Sequence, residues 1–292
     1  MKKIYIKVPA RICFYGDHQD YLGLPVIAGT INRYIKIYAK ENNNLSFNIE
    51  MPDIKQKRVI NIQQSLLKAN QGDYFLSSMD ILKGQGFDFS KGYDITITGN
   101  IPINSGLSSS SALVVAWIRF LIEIQEDLKK ITDIQIGKWA HESEVLYFNQ
   151  PGGLMDQYTI AHGGLVFIDT EFGEVSKLPM NLGKLIIAES GINKETLSVL
   201  KKAREYAQNS IKALLKVHPD FNIKSFKEKD YQKYKSLVPL KYQTYFYSTI
   251  FNYIITLKAK NHILLNQINF KFLAELINEH QFILDNYIKN TP

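Results

Sequence analysis

The chain has a single cysteine, Cys13, among 292 residues. That excludes an internal disulfide and a cysteine-rich zinc site. No apolar run reaches the ~18–20 residues that a membrane-spanning helix needs. The start, Met1-Lys2-Lys3-Ile4-Tyr5-Ile6-Lys7, is charged and has no apolar stretch of the kind a signal peptide carries. There is no internal repeat, and no linker rich in proline, glycine or serine. The phosphate-loop pattern G-x-x-x-x-G-K-[ST] is absent, as are the H-R-D and D-F-G of protein kinases. The expectation is a soluble, cytoplasmic protein without a membrane partner. Formal net charge is +7, but the lysines are scattered among Ile, Asn and Tyr, above all after residue 200. Such scatter reads as solvated surface, and no nucleic-acid partner is expected. Nothing in the sequence fixes an oligomeric state.

What is present suffices for one large domain or two lobes, since 45% of residues are hydrophobic. The first third reads as strands, in Ile4–Val8, Arg11–Tyr15, Tyr34–Ala39, Leu45–Glu50 and Arg58–Ile62. Tyr93–Thr98 alternates strictly, as a half-buried strand should. From Ser110 to Ile124 the spacing of Leu113, Trp117, Phe120, Leu121 and Ile124 predicts a helix. A second helix is expected over Ile134–Phe148, ending before Pro151-Gly152-Gly153. Leu165–Asp169 and Leu185–Glu189 read as strands. After Lys194 the chain is helical, with breaks near Pro219 and Pro239.

Three segments carry possible chemistry. Pro9 to Gly23 runs from a strand into a turn with Asp17, His18 and Asp20. Carboxylates and an imidazole in a Gly-flanked loop suit a polyhydroxylated ligand. An Asx-rich surface turn gives the same pattern. In Gly99 to Ala112, Gly106-Leu107-Ser108-Ser109-Ser110-Ser111 lies between a strand and a helix. Backbone N–H groups at a helix start favour phosphate, and serine hydroxyls suit Mg²⁺. A plain serine cap is the simpler reading of that run. The third segment pairs Glu144 with Asp156, which follows Pro151-Gly152-Gly153-Leu154-Met155. Two acids so placed can hold a metal and a substrate proton; taken alone they are an exposed Glu and a capping Asp.

In this order the three segments resemble the GHMP kinases, and within them the galactokinase branch. The first is similar to P-G-R-x-x-x-x-G-E-H-x-D-Y, with Ala10 for Gly and Asp17 for Glu. The second resembles P-x-x-x-G-L-S-S-S-A, and the third G-I-M-D-Q; Asn278-Glu279-His280 looks like an N-E-H stretch near the family's C-terminus. The resemblance implies a two-lobed α+β fold. Its N-terminal lobe (1–178) would be like the second domain of ribosomal protein S5, and its ferredoxin-like C-terminal lobe (179–292) incomplete, with ATP between them. It implies an ATP- and Mg²⁺-dependent transfer of a γ-phosphoryl group to a sugar hydroxyl, the anomeric one. Asp156 would be the base and Arg11 its cationic neighbour. Ser110 and Glu144 would be the Mg²⁺ ligands. Gly106, Leu107, Ser108, Ser109 and Ser110 would hold the nucleotide, and Asp17, His18, Asp20 and Gly153 the sugar.

Two features depart from the family. The Y-N-x-R-R-type stretch of galactokinases is absent at Thr196–Lys202, so a related aldose, uronic acid or heptose is as compatible as galactose. No G-x-G-x-G-G loop follows His280 before Pro292, which leads us to expect a shortened form of weakened activity. The alternatives are a kinase for a heptose phosphate or a mevalonate-type alcohol, and a sensor that binds sugar and ATP without turnover.

Overall fold

The computed structural model describes residues 1–62, 69–103, 105–126, 130–179, 183–188, 196–265 and 267–288. The chain forms two compact units that interleave along the sequence. The first comprises Met1–Ile12, Gly29–Gln150 and Asp156–Gly164; the second comprises Cys13–Ala28, Pro151–Met155 and Leu165–Pro292. Strands β1 (Lys3–Tyr15) and β2 (Val26–Asn42) contribute to both.

In the first unit, β3 (Ser46–Met51), β4 (Gln56–Asn61) and β5 (Gly92–Gly99) complete a sheet in the order β4-β3-β5-β2, with β1 also on β2. β2 and β5 run antiparallel with Ile37 opposite Ile97, while β3 and β5 are parallel. Period-two alternation puts Ile37, Ile49, Ile95 and Ile97 inward. Helices α1 (Tyr74–Gly84), α2 (Ser109–Glu123) and α3 (Asp133–His141) supply the rest of this core, and α4 (Met155–His162) follows them. Trp117 stacks on Phe120 at 5.1 Å, meets Phe47 edge-on at 5.6 Å, and donates its indole N–H to the Phe75 carbonyl at 3.1 Å. Each buried ring of this group contributes about 1.5–3 kcal/mol by leaving water.

Two expectations change here. Ile4–Val8 and Arg11–Tyr15 are one strand, running through Pro9. The helix expected over Ile134–Phe148 is α-helical only to His141. It then widens into a π turn, Glu142–Leu146, closed by the Tyr147 N–H on the Glu142 carbonyl at 2.8 Å.

In the second unit, β6 (Leu165–Asp169) lies between β2 and the antiparallel β7 (Glu174–Lys177). The expected strand over Leu185–Glu189 is not formed at 185–188, and Glu189 lies outside the described residues. Helices α5 (Thr196–Val217), α6 (Tyr231–Lys235), α7 (Gln243–Ile263) and α8 (Phe270–Ile283) make up most of the remainder. Ile255, Ala259 and Ile263 of α7 meet Leu273, Leu276 and Ile283 of α8 in one cluster with Tyr15, Ile27, Leu165 and Phe167. No described helix is long and apolar enough to cross a membrane.

Candidate active site

In the first unit the chemistry gathers where β1, the loop before α2 and the start of α4 meet. Arg11 leaves β1 and grips one carboxylate oxygen of Asp156 with two nitrogens, Nε at 2.7 Å and Nη2 at 2.7 Å. Its Nη1 donates to the Gly106 carbonyl at 2.8 Å, so one guanidinium fixes both the glycine loop and the acid. The second Asp156 oxygen accepts from Ser108 Oγ at 2.5 Å. Asp156 lies in the first turn of α4, where a carboxylate interacts favourably with the helix end. Its side chain stays 27% exposed, against 11% for Arg11, so the acid is reachable while its partner is fixed.

Ser108 is the N-cap of α2 but does not cap it; its φ is +55° and its hydroxyl is turned to Asp156. Left-handed backbone at a non-glycine residue is strained and tends to occur at functional sites. Leu107 is buried beneath the loop, Gly106 is exposed at φ +77°, and Ser109 and Ser110 open the helix half-buried. Asn104, part of the expected motif, lies outside the described residues. The first N–H groups of α2 thus receive no hydroxyl from their own cap, which suits an incoming anion.

Glu144 sits on the π turn and is 5% exposed. Ser77 Oγ bonds the Ser143 carbonyl at 2.8 Å, and Ser143 Oγ bonds the Trp139 carbonyl at 2.7 Å, which fix the turn from α1 and α3. Gln157 Nε2 donates to Glu144 at 2.7 Å, and Ser110 and Ser111 also hydrogen-bond the acid. Burial pushes the Glu144 carboxyl above its ordinary range; these hydrogen bonds oppose that and Asp156 adds to it. Its hydrogen-bond partners among the described residues are all neutral. Such a carboxylate fits a cation shared with phosphate oxygens, the way Mg²⁺ is commonly held. Among the described residues no three acids, histidines or cysteines would hold a metal unaided. The sequence pattern assigns no role to Gln157; its place beside Asp156 in Met155-Asp156-Gln157 is the available signal.

The second unit holds the other cluster. After β1 the chain turns at Gly16 (φ +86°), where a Cβ would stand 2.6 Å from the Pro25 carbonyl oxygen. Asp17, His18 and Asp20 follow within this turn, with His18 itself at φ +62°. His18 is buried, with Nδ1 2.9 Å from the Tyr21 hydroxyl and Nε2 4.0 Å from Asp17. Burial, then Asp20 and Asp17, hold the Tyr21 hydroxyl neutral, well above its ordinary range. Asp20 accepts from the Met155 N–H at 3.2 Å and from the Tyr21 N–H at 2.9 Å. A Cβ on Gly153 would lie 2.1 Å from an Asp20 oxygen, so only glycine admits this approach. Gly153→Ala is therefore expected to displace Asp20 and weaken about tenfold the binding of a ligand held by this turn. Initial-rate kinetics against each substrate checks this; an unchanged KM for every substrate would mean that Asp20 has no part in binding.

Two further contacts clamp the turn. Gln19 Nε2 donates to the Thr249 carbonyl of α7 at 2.9 Å, and the Gly16 N–H donates to Nε2 of His280 in α8 at 3.0 Å. The Asn278-Glu279-His280 stretch is visible in the sequence, but nothing there assigns it a role.

Residues 73–164 match the family described as GHMP kinases N terminal domain. The chain is 29% identical over 239 residues to the galactokinase of Ligilactobacillus salivarius, covering 77% of this chain and 60% of that protein. It is 27% identical over 225 residues to the mevalonate kinase of Thermococcus gammatolerans, covering 73% of this chain and 66% of that protein. The aligned region thus spans less than two thirds of either relative. Among solved structures, Lactococcus lactis galactokinase complexed with galactose superposes with a TM-score of 0.81 at 18% identity, over 99% of this chain and 76% of that one. Methanococcus jannaschii mevalonate kinase gives 0.61 at 17%, over 100% and 81%. The α+β fold is that of these enzymes, and the match to the GHMP kinase N-terminal domain covers residues 73–164. In sequence the chain resembles galactokinases and mevalonate kinases alike.

Proposed function

We propose that this chain transfers the γ-phosphoryl group of ATP to the anomeric hydroxyl of an aldose. The carrying observation is the Arg11–Asp156–Ser108 arrangement, a half-buried, reachable carboxylate held by a fixed cation beside a loop of backbone donors. Asp156 accepts the hydroxyl proton or orients the hydroxyl for in-line attack. Arg11 keeps that carboxylate placed and adds positive charge where negative charge develops. The N-terminal N–H groups of α2 and the loop at Gly106–Ser110 receive the phosphates. Glu144 and Ser110 would hold Mg²⁺, which neutralises charge on the β- and γ-phosphates when bound. Asp17, His18 and Asp20 supply hydrogen bonds to sugar hydroxyls.

Similarity to a mevalonate kinase makes an acyclic alcohol the second reading. The turn argues against it: two carboxylates, Asp17 and Asp20, suit a neutral polyol better than an acceptor that is itself an anion. The test is Mg²⁺-dependent ADP release by this chain over a panel of aldoses, their 1-deoxy analogues and mevalonate. The expected result is turnover with one or a few aldoses and none with their 1-deoxy forms. ATP binding with no turnover for any aldose would leave the sensor reading in its place, and turnover with mevalonate alone would replace the sugar.

Glu144→Gln removes the charge and keeps the shape. Nucleotide affinity measured with Mg²⁺ is expected to fall about tenfold, and kcat about a hundredfold. Affinity measured with EDTA should stay unchanged. Equal affinity of both proteins with Mg²⁺ would remove Glu144 from the metal site.

A further inference from the structure

The outer face of the first unit's sheet carries a pattern that the kinase reading does not use. Alternation buries Ile4, Val8, Ile37 and Ala39, so the residues between them face outward. On β1 these are Lys3, Tyr5 and Lys7; on β2 they are Tyr34, Lys36, Tyr38 and Lys40. Lysine and tyrosine thus alternate along two adjacent strands, with about 6.7 Å between successive side chains of one face. Tyr5 and Tyr38 are 52% and 48% exposed and pack together at 4.8 Å, and Lys7 Nζ stands 3.9 Å from the centre of the Tyr34 ring. Lys3, Tyr5, Tyr38 and Lys40 also line a depression of about 730 Å³ over the sheet.

On this face of the two strands, over residues 3–7 and 34–40, the charged residues are all lysines, Glu41 of β2 falling on the other phase of the alternation. Lys3, Lys7 and Lys36 enter no ion pair among the described residues. Lys40 stands opposite Asp94, whose carboxylate is already held by Asn42 and Asn48, and Glu50 is taken by Lys57 at 2.8 Å. Lysines guarding an open edge account for β1. They do not account for β2, which has β5 on one side and β1 on the other. Like charges gathered on one sheet face oppose folding unless an anion meets them. In sequence these lysines are dispersed; the antiparallel pairing of β1 with β2 is what collects them.

We propose that this face binds single-stranded nucleic acid, its lysines meeting phosphates and its tyrosines stacking under bases. Exposed aromatic rings between cations on an open sheet are the chemistry that takes unpaired bases without reading sequence. An anionic bilayer is the weaker match, because this face is a depression and its large exposed side chains are tyrosines and Val59, with no Trp, Phe or Leu to insert.

The test is fluorescence anisotropy of a labelled twelve-nucleotide oligo(U) with the full chain, at several salt concentrations. Binding in the micromolar range is expected at low salt, with a log–log salt slope of about −2 to −3 for three or four phosphates. Tyr5→Ala with Tyr38→Ala should weaken it about tenfold, while the paired Tyr→Phe substitutions preserve it. Lys7→Glu with Lys36→Glu should weaken binding at least as much and flatten the salt slope. Binding unaffected by the alanine pair would overturn the proposal, as would displacement of the oligonucleotide by ATP. Capture by anionic vesicles without oligonucleotide binding would do the same. These positions lie outside the proposed catalytic groups, so ADP release should be unchanged in every variant, separating this face from the kinase reading.

Discussion

Asp156→Asn is expected to lower kcat about a thousandfold while leaving the KM values for sugar and ATP within about threefold. The amide keeps the volume; its oxygen can still accept from Arg11, while its NH2 takes the other position and donates to Ser108 Oγ, so the loop at Gly106 stays in place. What it loses is the capacity to take a proton and the negative charge that aligns an attacking hydroxyl. A positioned base contributes roughly 10²–10⁴ to such reactions, and the middle of that range is the natural estimate for a transfer that depends on orientation as much as on proton removal. The same substitution leaves Arg11, only 11% exposed at its side chain, without its counter-charge. A loss of about 1 kcal/mol in stability should accompany the loss of rate, visible as a lower melting temperature. Arg11→Lys tests the other partner. A lysine cannot grip Asp156 and the Gly106 carbonyl at once, so kcat should fall about a hundredfold, and the double variant should be little worse than Asp156→Asn alone. Retention of a tenth of the wild-type kcat by Asp156→Asn would remove the residue from the chemistry.

The parts of this molecule that sequence reveals are those whose pattern is local. Tyr93–Thr98 alternates without interruption and is β5, and the spacing from Leu113 to Ile124 gives α2 nearly to its ends. The clusters Ile4–Val8 and Arg11–Tyr15 read as two strands because Pro9, which withholds a ladder donor, lies between them. The strand nonetheless runs through it, since β1 lies off the main strand order with β2 as its neighbour. Helix α1 escaped because its cap works through contacts no motif displays: Asp73 caps Leu76 N–H at 3.2 Å while holding Arg58 at 2.6 Å. Met155–His162 was hidden behind Pro151-Gly152-Gly153, whose turn reads as the end of order although a helix starts two residues later. In the site, the glycine–serine loop and the acidic turn are legible because each is contiguous. The inward aim of Glu144 depends on one π turn, which apolar periodicity does not register. The least legible contact joins Gly16 to His280, 264 positions apart.

That contact makes His280 the group through which acid should act on the second unit. Nε2 of His280 accepts the Gly16 N–H at 3.0 Å, and the ring lies edge-on to Tyr15, 6.4 Å between centres. Acceptance requires an unprotonated nitrogen. The imidazole is lowered from 6.5 to about 4, chiefly by burial, with Asp17 opposing the shift and His18 adding to it. A folded-state value below the unfolded one means the neutral ring's contribution is fully present above about pH 6.5. It is lost as pH falls from there through about 4. A difference of that size corresponds to about 3 kcal/mol, so the melting temperature should drop steeply between pH 6 and 4. In His280→Gln that part of the drop should vanish, since glutamine does not titrate and keeps an acceptor. His280→Ala should lose about 2 kcal/mol at pH 7.5 and raise the sugar KM about tenfold, because the turn bearing Asp17, His18 and Asp20 loses its tie to α8. The ATP KM should stay within twofold, and glutamine should restore part of the sugar KM. A purely structural histidine would move both KM values together, and an acid transition as steep in His280→Gln as in wild type would assign it to the carboxylates instead.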